Sequence, residues 1–572
     1  MKTSLLTGVA FTALASATAL AADLPLKAPP PAPVICPTCD WNGFYVGVNV
    51  GGSIGQNRTS NSASIFPAGA PFAGVFPGVF NPISSVNDTR SPSGVIGGGQ
   101  IGWNLNVNRW LFGVEADFSG TNQRDTLTSS NFVASTIAAA SANLSYSDEQ
   151  RLNWLGTVRG RLGWTYDCFL TYVTGGVAFG EVESNLGVSL VNTGPGLSFG
   201  SGSGAASFKT TKTGWTIGSG VETSLAWMGW SPSWSMKLEY LYVDLGSVTN
   251  SVTAPVVGAT GGAPNSVTLA NSHDIRDHII RFGLNYRFGA PAHASYASGP
   301  YAADMPVKAR PTPVCVNCNW NGFYIGANLG TSIGQNKTSD SASLFPAGVP
   351  FGGVFPGVVN PVAATTDTRT PKGVLGGGQI GWNLQTNRWV VGLEADLSGT
   401  NQRDTLTSSS FVSSTIAAAS ANLSYSDEQR LNWLATVRAR LGWTHDCFLW
   451  YVTGGVAFGE VESNLGVSFV NTAPASVPGL FGSGSGAASF KTTKTGWTVG
   501  GGVETSLTWF GLSRNWSAKT EYLYVDLGSV TNSVTAAITG GGAAAPTSVT
   551  LASSHDIRDH IIRAGINYRF QP

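Results

Sequence analysis

LNWLGTVRGRLGW, residues 152–164, alternates with a period of two: Leu152, Trp154, Val158, Leu162 and Trp164 share one face, and Asn153, Thr157, Arg159 and Arg161 the other. A helix would repeat its apolar residues every three or four positions, so this spacing specifies an extended strand with one apolar and one charged side. The same pattern runs through RWLFGVEADFS (109–119), where Trp110, Phe112, Val114, Ala116 and Phe118 oppose Leu111, Gly113, Glu115, Asp117 and Ser119. It returns in IIRFGLNYRF (279–288), where Ile280, Phe282, Leu284, Tyr286 and Phe288 oppose Arg281, Asn285 and Arg287.

The chain contains itself twice. WNGFYVG at Trp41 reappears as WNGFYIG at Trp320, and the stretch Ser135–Leu155 recurs unchanged as Ser414–Leu434. Lys209 and His273 match Lys491 and His555, so a few residues were gained where TGPGLSF faces TAPASVPGLF, the mark of a surface loop. Each copy opens on a Pro-rich leader and closes on NYRF.

Eight alternating segments are predicted per copy, at 42–55, 94–106, 109–123, 150–165, 169–184, 213–227, 234–248 and 277–288 in the first. The connections after the second, fourth and sixth are short. Those after the first, third, fifth and seventh are long and rich in Ser, Thr, Asn, Gly and Pro, and read as loops. Short turns on one side, long loops on the other, and strands with one apolar face describe a transmembrane β-barrel. A soluble sandwich would put its apolar faces inward and its charges outside, whereas here Arg and Glu lie opposite large aromatics. In hydrocarbon an unpaired N–H or C=O costs several kcal/mol, so such a sheet must close. Trp41, Phe44, Tyr45, Trp103, Trp110, Trp164, Tyr166, Tyr240, Tyr242 and Tyr286 near strand ends are read as interfacial girdles. Tyr286, Phe288, Tyr568 and Phe570 are read as the aromatics of closing strands.

Composition agrees with export and a membrane. Of 572 residues 11% are charged and 73 are glycine, against roughly 25% and about 7% in ordinary soluble domains. Basic and acidic residues are equal at 32 each, which gives no pull toward nucleic acid. Residues 1–21, with Lys2, an apolar stretch and Ala19-Leu20-Ala21, read as a cleaved signal peptide.

The Pro/Lys-rich leader, WNGFY[VI]G, LNWLxTVRxRLGW, YVTGGVAFG, KxEYLYVDLG and the NYRF ending together resemble the alphaproteobacterial outer-membrane immunogenic (porin-family) β-barrel proteins. The resemblance spans each copy from leader to last strand. It implies eight-stranded barrels in the bacterial outer membrane with roles in envelope integrity and surface exposure. This chain departs from the family's usual single barrel, and Gln571 and Pro572 follow the final aromatic Phe570.

The expected fold is all-β: two tandem eight-stranded antiparallel barrels, 42–288 and 320–572, joined by a Pro-rich periplasmic linker at 289–319 and preceded by a leader at 22–41. The alternative is one sixteen-stranded barrel. An eight-stranded interior is filled by side chains, and buried charges must be paired. Glu115, Asp117, Arg159, Arg161, Glu222, Lys237, Glu239, Arg281 and Arg287 are therefore expected to form a lumen network of balanced sign. Glu394, Asp396, Arg438, Arg440, Glu504, Lys519, Glu521, Arg563 and Arg569 repeat it.

Cys36 with Cys39, and Cys315 with Cys318, are read as disulfide-closed tethers, leaving Cys168 and Cys447 unassigned. Gly97, Gly99 and Gly102 match GxGxxG, but no helix follows to receive a phosphate. HDIRDH at 273–278 reads as a solvated rim with a divalent cation as the minority reading. No catalytic, cofactor or metal site is predicted. The expected partners are outer-membrane lipid and lipopolysaccharide, the barrel-assembly machinery and a second copy of the chain, with no nucleic acid. The expected function is structural and surface-presenting; the alternatives are a passive diffusion porin, or an adhesin acting through loops such as 66–82.

Overall fold

The computed structural model describes residues 39–65, 81–134, 141–166, 168–193, 200–228, 230–258, 265–288, 318–344, 360–413, 420–445, 447–472, 481–510, 512–542 and 545–570. The signal peptide, most of the leader and linker, Cys36, Cys315 and the loop at 66–80 lie outside the described residues.

The first repeat contributes β1 (Gly43–Gly55), β2 (Asn57–Ser64), β3 (Ser84–Arg90), β4 (Ser93–Val107), β5 (Trp110–Ala134), β6 (Ser141–Tyr166), β7 (Phe169–Asn192), β8 (Gly202–Ser224), β9 (Trp234–Pro255) and β10 (Ser266–Arg287). The second contributes β11 (Gly322–Gly334), β12 (Asn336–Leu344), β13 (Ala363–Arg369), β14 (Lys372–Thr386), β15 (Trp389–Ser413), β16 (Ser420–His445), β17 (Phe448–Asn471), β18 (Gly484–Ser506), β19 (Trp516–Ala537) and β20 (Ser548–Phe570). Because β1 runs into β2 across Gln56 and β3 into β4 across Ser91 and Pro92, each repeat supplies eight strand paths.

All of them belong to one antiparallel sheet. In the half nearest the short turns, β1 pairs with both β4 and β10, and β11 with both β14 and β20. In the far half the neighbours change. β4 pairs with β5, but β3, which runs into it, pairs with β15, Ser84–Asn87 against Thr407–Ser410, while β13 pairs with β5, Ala363–Thr366 against Thr128–Asn131. From β3 through β15 to β20, β12 and β13, then through β5 to β10 and β2, the ladders close one circuit of sixteen strands.

The expectation of two separate eight-stranded barrels is therefore overturned: the chain is one closed sixteen-strand barrel, pinched into two lumens near the short turns. The exchange occurs at Pro92 and Pro371, where a residue with no N–H has no ladder bond to lose. Ser91 N–H donates to the Thr368 carbonyl and Thr370 N–H to the Thr89 carbonyl, both at 2.8 Å. The Ser91 and Thr370 hydroxyls also bond one another, and Lys372 Nζ donates to Gln56 Oε1 at 2.9 Å.

The long loops are corrected as well: most of those after the third, fifth and seventh segments is strand, and β2 and β3 occupy part of the first. β5 and β6 have 25 and 26 residues, where roughly 9–11 cross a bilayer. Side chains exchange character along their length. In the near half Phe112, Val114, Phe118, Val158 and Phe282 are exposed and the charges are inside. In the far half Ser, Thr and Asn face out, while Leu127, Leu144, Leu186 and Leu190 pack inside one cluster with Leu406, Leu423, Leu465 and Phe469 of the other repeat. Water surrounds the far half and lipid the near half. Ladder register shifts mark the transition, at Gly120/Gln123, Leu152/Trp154 and Ile275/Arg276. At the last of these β9 carries the extra residue Leu245, and Gly246 takes φ 75°, a backbone angle other residues resist.

The far interior also buries charge. Arg90 donates to Asp125 at 2.9 Å and to Asp148 at 3.0 Å, and Arg369 repeats this with Asp404 and Asp427 at 3.0 and 2.9 Å. Between the repeats the Asp88 and Asp367 carboxyls face one another, both buried. Burial pushes Asp88 up to about 6 from the ordinary 3.8, offset in part by the neighbouring Asp367 carboxyl and by Arg90. Burial, then the Asp88 carboxyl, lifts Asp367 well above its usual range.

A carboxyl raised on folding stabilises fully below its unfolded value and loses that contribution as pH rises through its folded one. Thermal stability in detergent is therefore expected to fall between about pH 4 and about pH 6 as Asp88 ionises. Asp88→Asn should flatten that fall and be the more stable form at the upper pH, as read by circular-dichroism melts.

Candidate functional site

The near lumens hold the sequence-predicted charges. In the first, Glu115 and Asp117 come from β5, Arg159 and Arg161 from β6, Glu222 from β8, Lys237 and Glu239 from β9, and Arg281 and Arg287 from β10. All nine are buried, Asp117 the most exposed of them at 7%. Alternation on each strand turns them inward, and closure brings them together.

Arg159 bridges three carboxylates, with Asp117 at 2.8 Å, Glu239 at 2.9 Å and Glu115 at 2.5 Å. Arg281 reaches Asp117 at 2.9 Å and Glu239 at 2.7 Å, Lys237 reaches Glu115 at 2.8 Å, and Arg161 reaches Glu222 at 2.9 Å. The second lumen repeats the geometry: Arg438 meets Glu394, Asp396 and Glu521, Arg563 meets Asp396 and Glu521, Lys519 meets Glu394, and Arg440 meets Glu504. Arg569 lies 3.8 Å from Glu504.

Neutral groups complete each network. Tyr45 donates to Glu115 at 2.7 Å and accepts from Arg161 at 2.6 Å, Tyr172 donates to Glu239 at 2.9 Å, and Asn285 and Ser235 donate to Glu222 at 2.9 and 2.6 Å. Tyr324 and Tyr451 do the same in the copy. Gly102 has a structural use: a Cβ there would strike the Tyr45 ring.

Trp41 and Tyr45 are corrected from girdle to interior. Trp41 is fully buried at the near mouth among Leu111, Leu170 and Tyr172, with the Arg287 guanidinium 4.2 Å from its ring centre. Trp320 and Arg569 form the second cap at 4.5 Å. The signal was available for Tyr45, which alternates out of phase with the exposed Phe44, Val46 and Val48.

The cysteine pairing is also corrected. Cys39 bonds Cys168, and Cys318 bonds Cys447, each with Cα atoms 4.9 Å apart. Cys39 and Cys318 are thus not closed onto Cys36 and Cys315; they staple the segments carrying Trp41 and Trp320 to the turns before β7 and β17.

Of the closing-strand aromatics, Tyr286 packs edge-on against Trp234 at 5.1 Å and Tyr568 against Trp516 at 5.1 Å. Phe570 stands opposite Phe323 in the ladder that joins last strand to first, and Phe288 N–H donates to the Phe44 carbonyl at 2.9 Å. HDIRDH is strand and not rim. His273 is buried on Asp148, Thr59 and Asn271, and Asp277 on Gln123, while Asp274 and Arg276 face the other way. The four acids and imidazoles do not converge. Among the described residues no group of three His, Cys, Asp or Glu side chains is placed to hold a metal ion.

A closed antiparallel sheet with an apolar belt outside and paired charges inside defines an outer-membrane β-barrel. The chain belongs to the family of the outer membrane protein beta-barrel domain, whose model matches residues 7–288 and again 308–570. The 31 kDa outer-membrane immunogenic proteins of Brucella melitensis biotype 1 and Brucella suis biovar 1 are each 31% identical over 291 residues, 48% of this chain and 96% of each relative. One relative thus spans about one repeat, as a tandem duplication requires, and its compartment is this chain's: the bacterial outer membrane. Among solved structures, a Pseudomonas aeruginosa FadL homologue is 9% identical over 92% of this chain and 91% of that one, with a TM-score of 0.21. Outer membrane protein OprG of the same species is 11% identical over 45% and 99%, with a TM-score of 0.23. Likenesses so slight carry no weight for the fold.

Arg159→Ala strands Glu115, Asp117 and Glu239 without their shared cation. The expected cost is about 3–5 kcal/mol, typical of breaking a buried pair. Arg438→Ala should cost as much, and the two should add, because the lumens share no residue. Temperature series of heat-modifiable migration check both.

Proposed function

We propose that the protein is a structural, surface-exposed component of the outer membrane that contributes to envelope integrity and surface presentation without catalysis. The observation that carries this reading is the filled near lumen: eight buried charged side chains, bonded to one another and to two tyrosines, together with Arg287 over the Trp41 ring, occupy the space a solute would need, and a stapled tryptophan covers its mouth. The far half supports presentation, since its strands stand beyond the apolar belt with hydroxyl-rich outer faces. The relatives' description as immunogenic fits the same reading.

Passive diffusion is the competing function, and it needs an open path. Planar-bilayer recordings of the purified full chain are expected to show no stable conductance steps, and large ohmic steps would establish the porin reading instead. Ester and peptide reporters incubated with the reconstituted protein are expected to show no turnover.

A further inference from the structure

Within the apolar belt the outer faces of the two repeats do not meet tightly. A cleft of about 590 Å³ lies between Trp164, Phe169 and Val221 of the first repeat and Leu329, Val503 and Ile566 of the second. It continues, past the shared Trp164, Val221 and Val503, into a hollow of about 510 Å³ reaching Val173 and Tyr522. Phe169 and Phe448 stack across its near end at 3.9 Å between ring centres.

The two repeats differ where the cleft is. Ala327, Ala518, Thr520 and Ala564, all lining it, stand where the first repeat has Val48, Met236, Leu238 and Phe282. On the opposite wall Thr171 stands where the second repeat has Trp450. These five differences each put the smaller residue in the cleft, against one, Leu329 for Val50, that puts the larger one there. In the first repeat, Val48 and Phe282 are 61% and 63% exposed to the belt. Smaller residues would let the repeats pack together, yet the space stays open, so packing is not what the smaller residues achieve.

The lining is also poor in partners for water, its hydroxyls being those of Thr171, Thr505 and Thr520. A buried water needs two to four polar partners, and the charged groups nearby are turned away; the Lys519 ammonium, for example, is bonded to Glu394 inside the lumen. At this depth the apolar matter on hand is the hydrocarbon tail of a lipid.

We propose that this cleft is a binding site for an acyl chain of bilayer phospholipid, held between the two repeats and covered at its near end by the Phe169–Phe448 stack. The bound chain completes the contact between repeats that the side chains leave unfilled, and the lipid is a structural ligand of the duplicated barrel.

The test uses the full chain purified in detergent and loaded with phosphatidylethanolamine carrying a diazirine on one acyl chain. After extensive detergent exchange, native mass spectrometry is expected to find retained phospholipid. Photo-crosslinks should fall at Val221, Val503 and Ile566 several-fold more often than at Val48 and Phe282. The fourfold variant Ala327→Val, Ala518→Met, Thr520→Leu and Ala564→Phe carries only residues the first repeat already accommodates. It should keep heat-modifiable migration and lose both retention and cleft crosslinks, while Phe282→Ala should change neither. Crosslinks spread evenly over the belt, unchanged retention in the fourfold variant, or retention of lipopolysaccharide in place of phospholipid would each overturn the proposal. Should the fourfold variant not fold, the crosslink map of the unaltered protein decides alone.

Discussion

An unpaired peptide group in hydrocarbon costs several kcal/mol, and that cost fixes where the two repeats are free to exchange strands. Inside the apolar belt no edge is tolerated, and β1 meets β10 as β11 meets β20. Beyond the belt, water can solvate a strand edge, and β3 and β13 cross over to the other repeat. Pro92 and Pro371 sit at the crossing, where a missing N–H removes no ladder bond. A sixteen-strand barrel with two lumens at one end follows from that single rule applied at two depths.

The two halves are filled by opposite chemistry for one reason. A strand presents one face to its surroundings and one to its interior, so an apolar outside leaves the polar residues to fill the inside. In the near half this produces the ion network around Arg159 and Arg281, whose desolvation is tolerable because each cation has several carboxylate partners. In the far half it produces the shared core around Leu144 and Leu423, with Arg90 and Arg369 buried on paired acids. That shared core gives the exchange its stability, since Leu127 and Leu406 belong to one cluster built from both repeats. The acyl-chain cleft belongs to the near half, where the repeats stand side by side with no ladder between them.

The near half was legible in the sequence because its alternation is strong and its outward residues are large: 279–288 alone fixes which side of the strand meets lipid. The charge network followed from parity, and so could Tyr45. The far half was missed because Ser, Thr and Gly dominate its composition. Yet Leu186, Val188 and Leu190 keep a period of two through it, and Ala142, Leu144 and Tyr146 do likewise. Register shifts such as Leu152/Trp154 hide the continuity by moving the inward set from even to odd numbers. The strand exchange itself left no trace in the sequence. TSSN at 128–131 and TSSS at 407–410 present nearly the same edge, so pairing within a repeat and pairing between repeats look alike residue by residue. The cysteines misled because adjacency suggested Cys36–Cys39, while the bond to Cys168 spans 129 residues and depends on closure of the sheet.

The joining of the repeats is tested most directly at Ser85 and Ser409, opposite one another in the β3–β15 ladder with hydroxyls 3.0 Å apart. The double variant Ser85→Cys and Ser409→Cys, oxidised in the membrane and then cut within 289–317, is expected to migrate as one covalently joined pair of halves without reductant. Halves that part under those conditions, with each native disulfide intact, would contradict the sixteen-strand circuit.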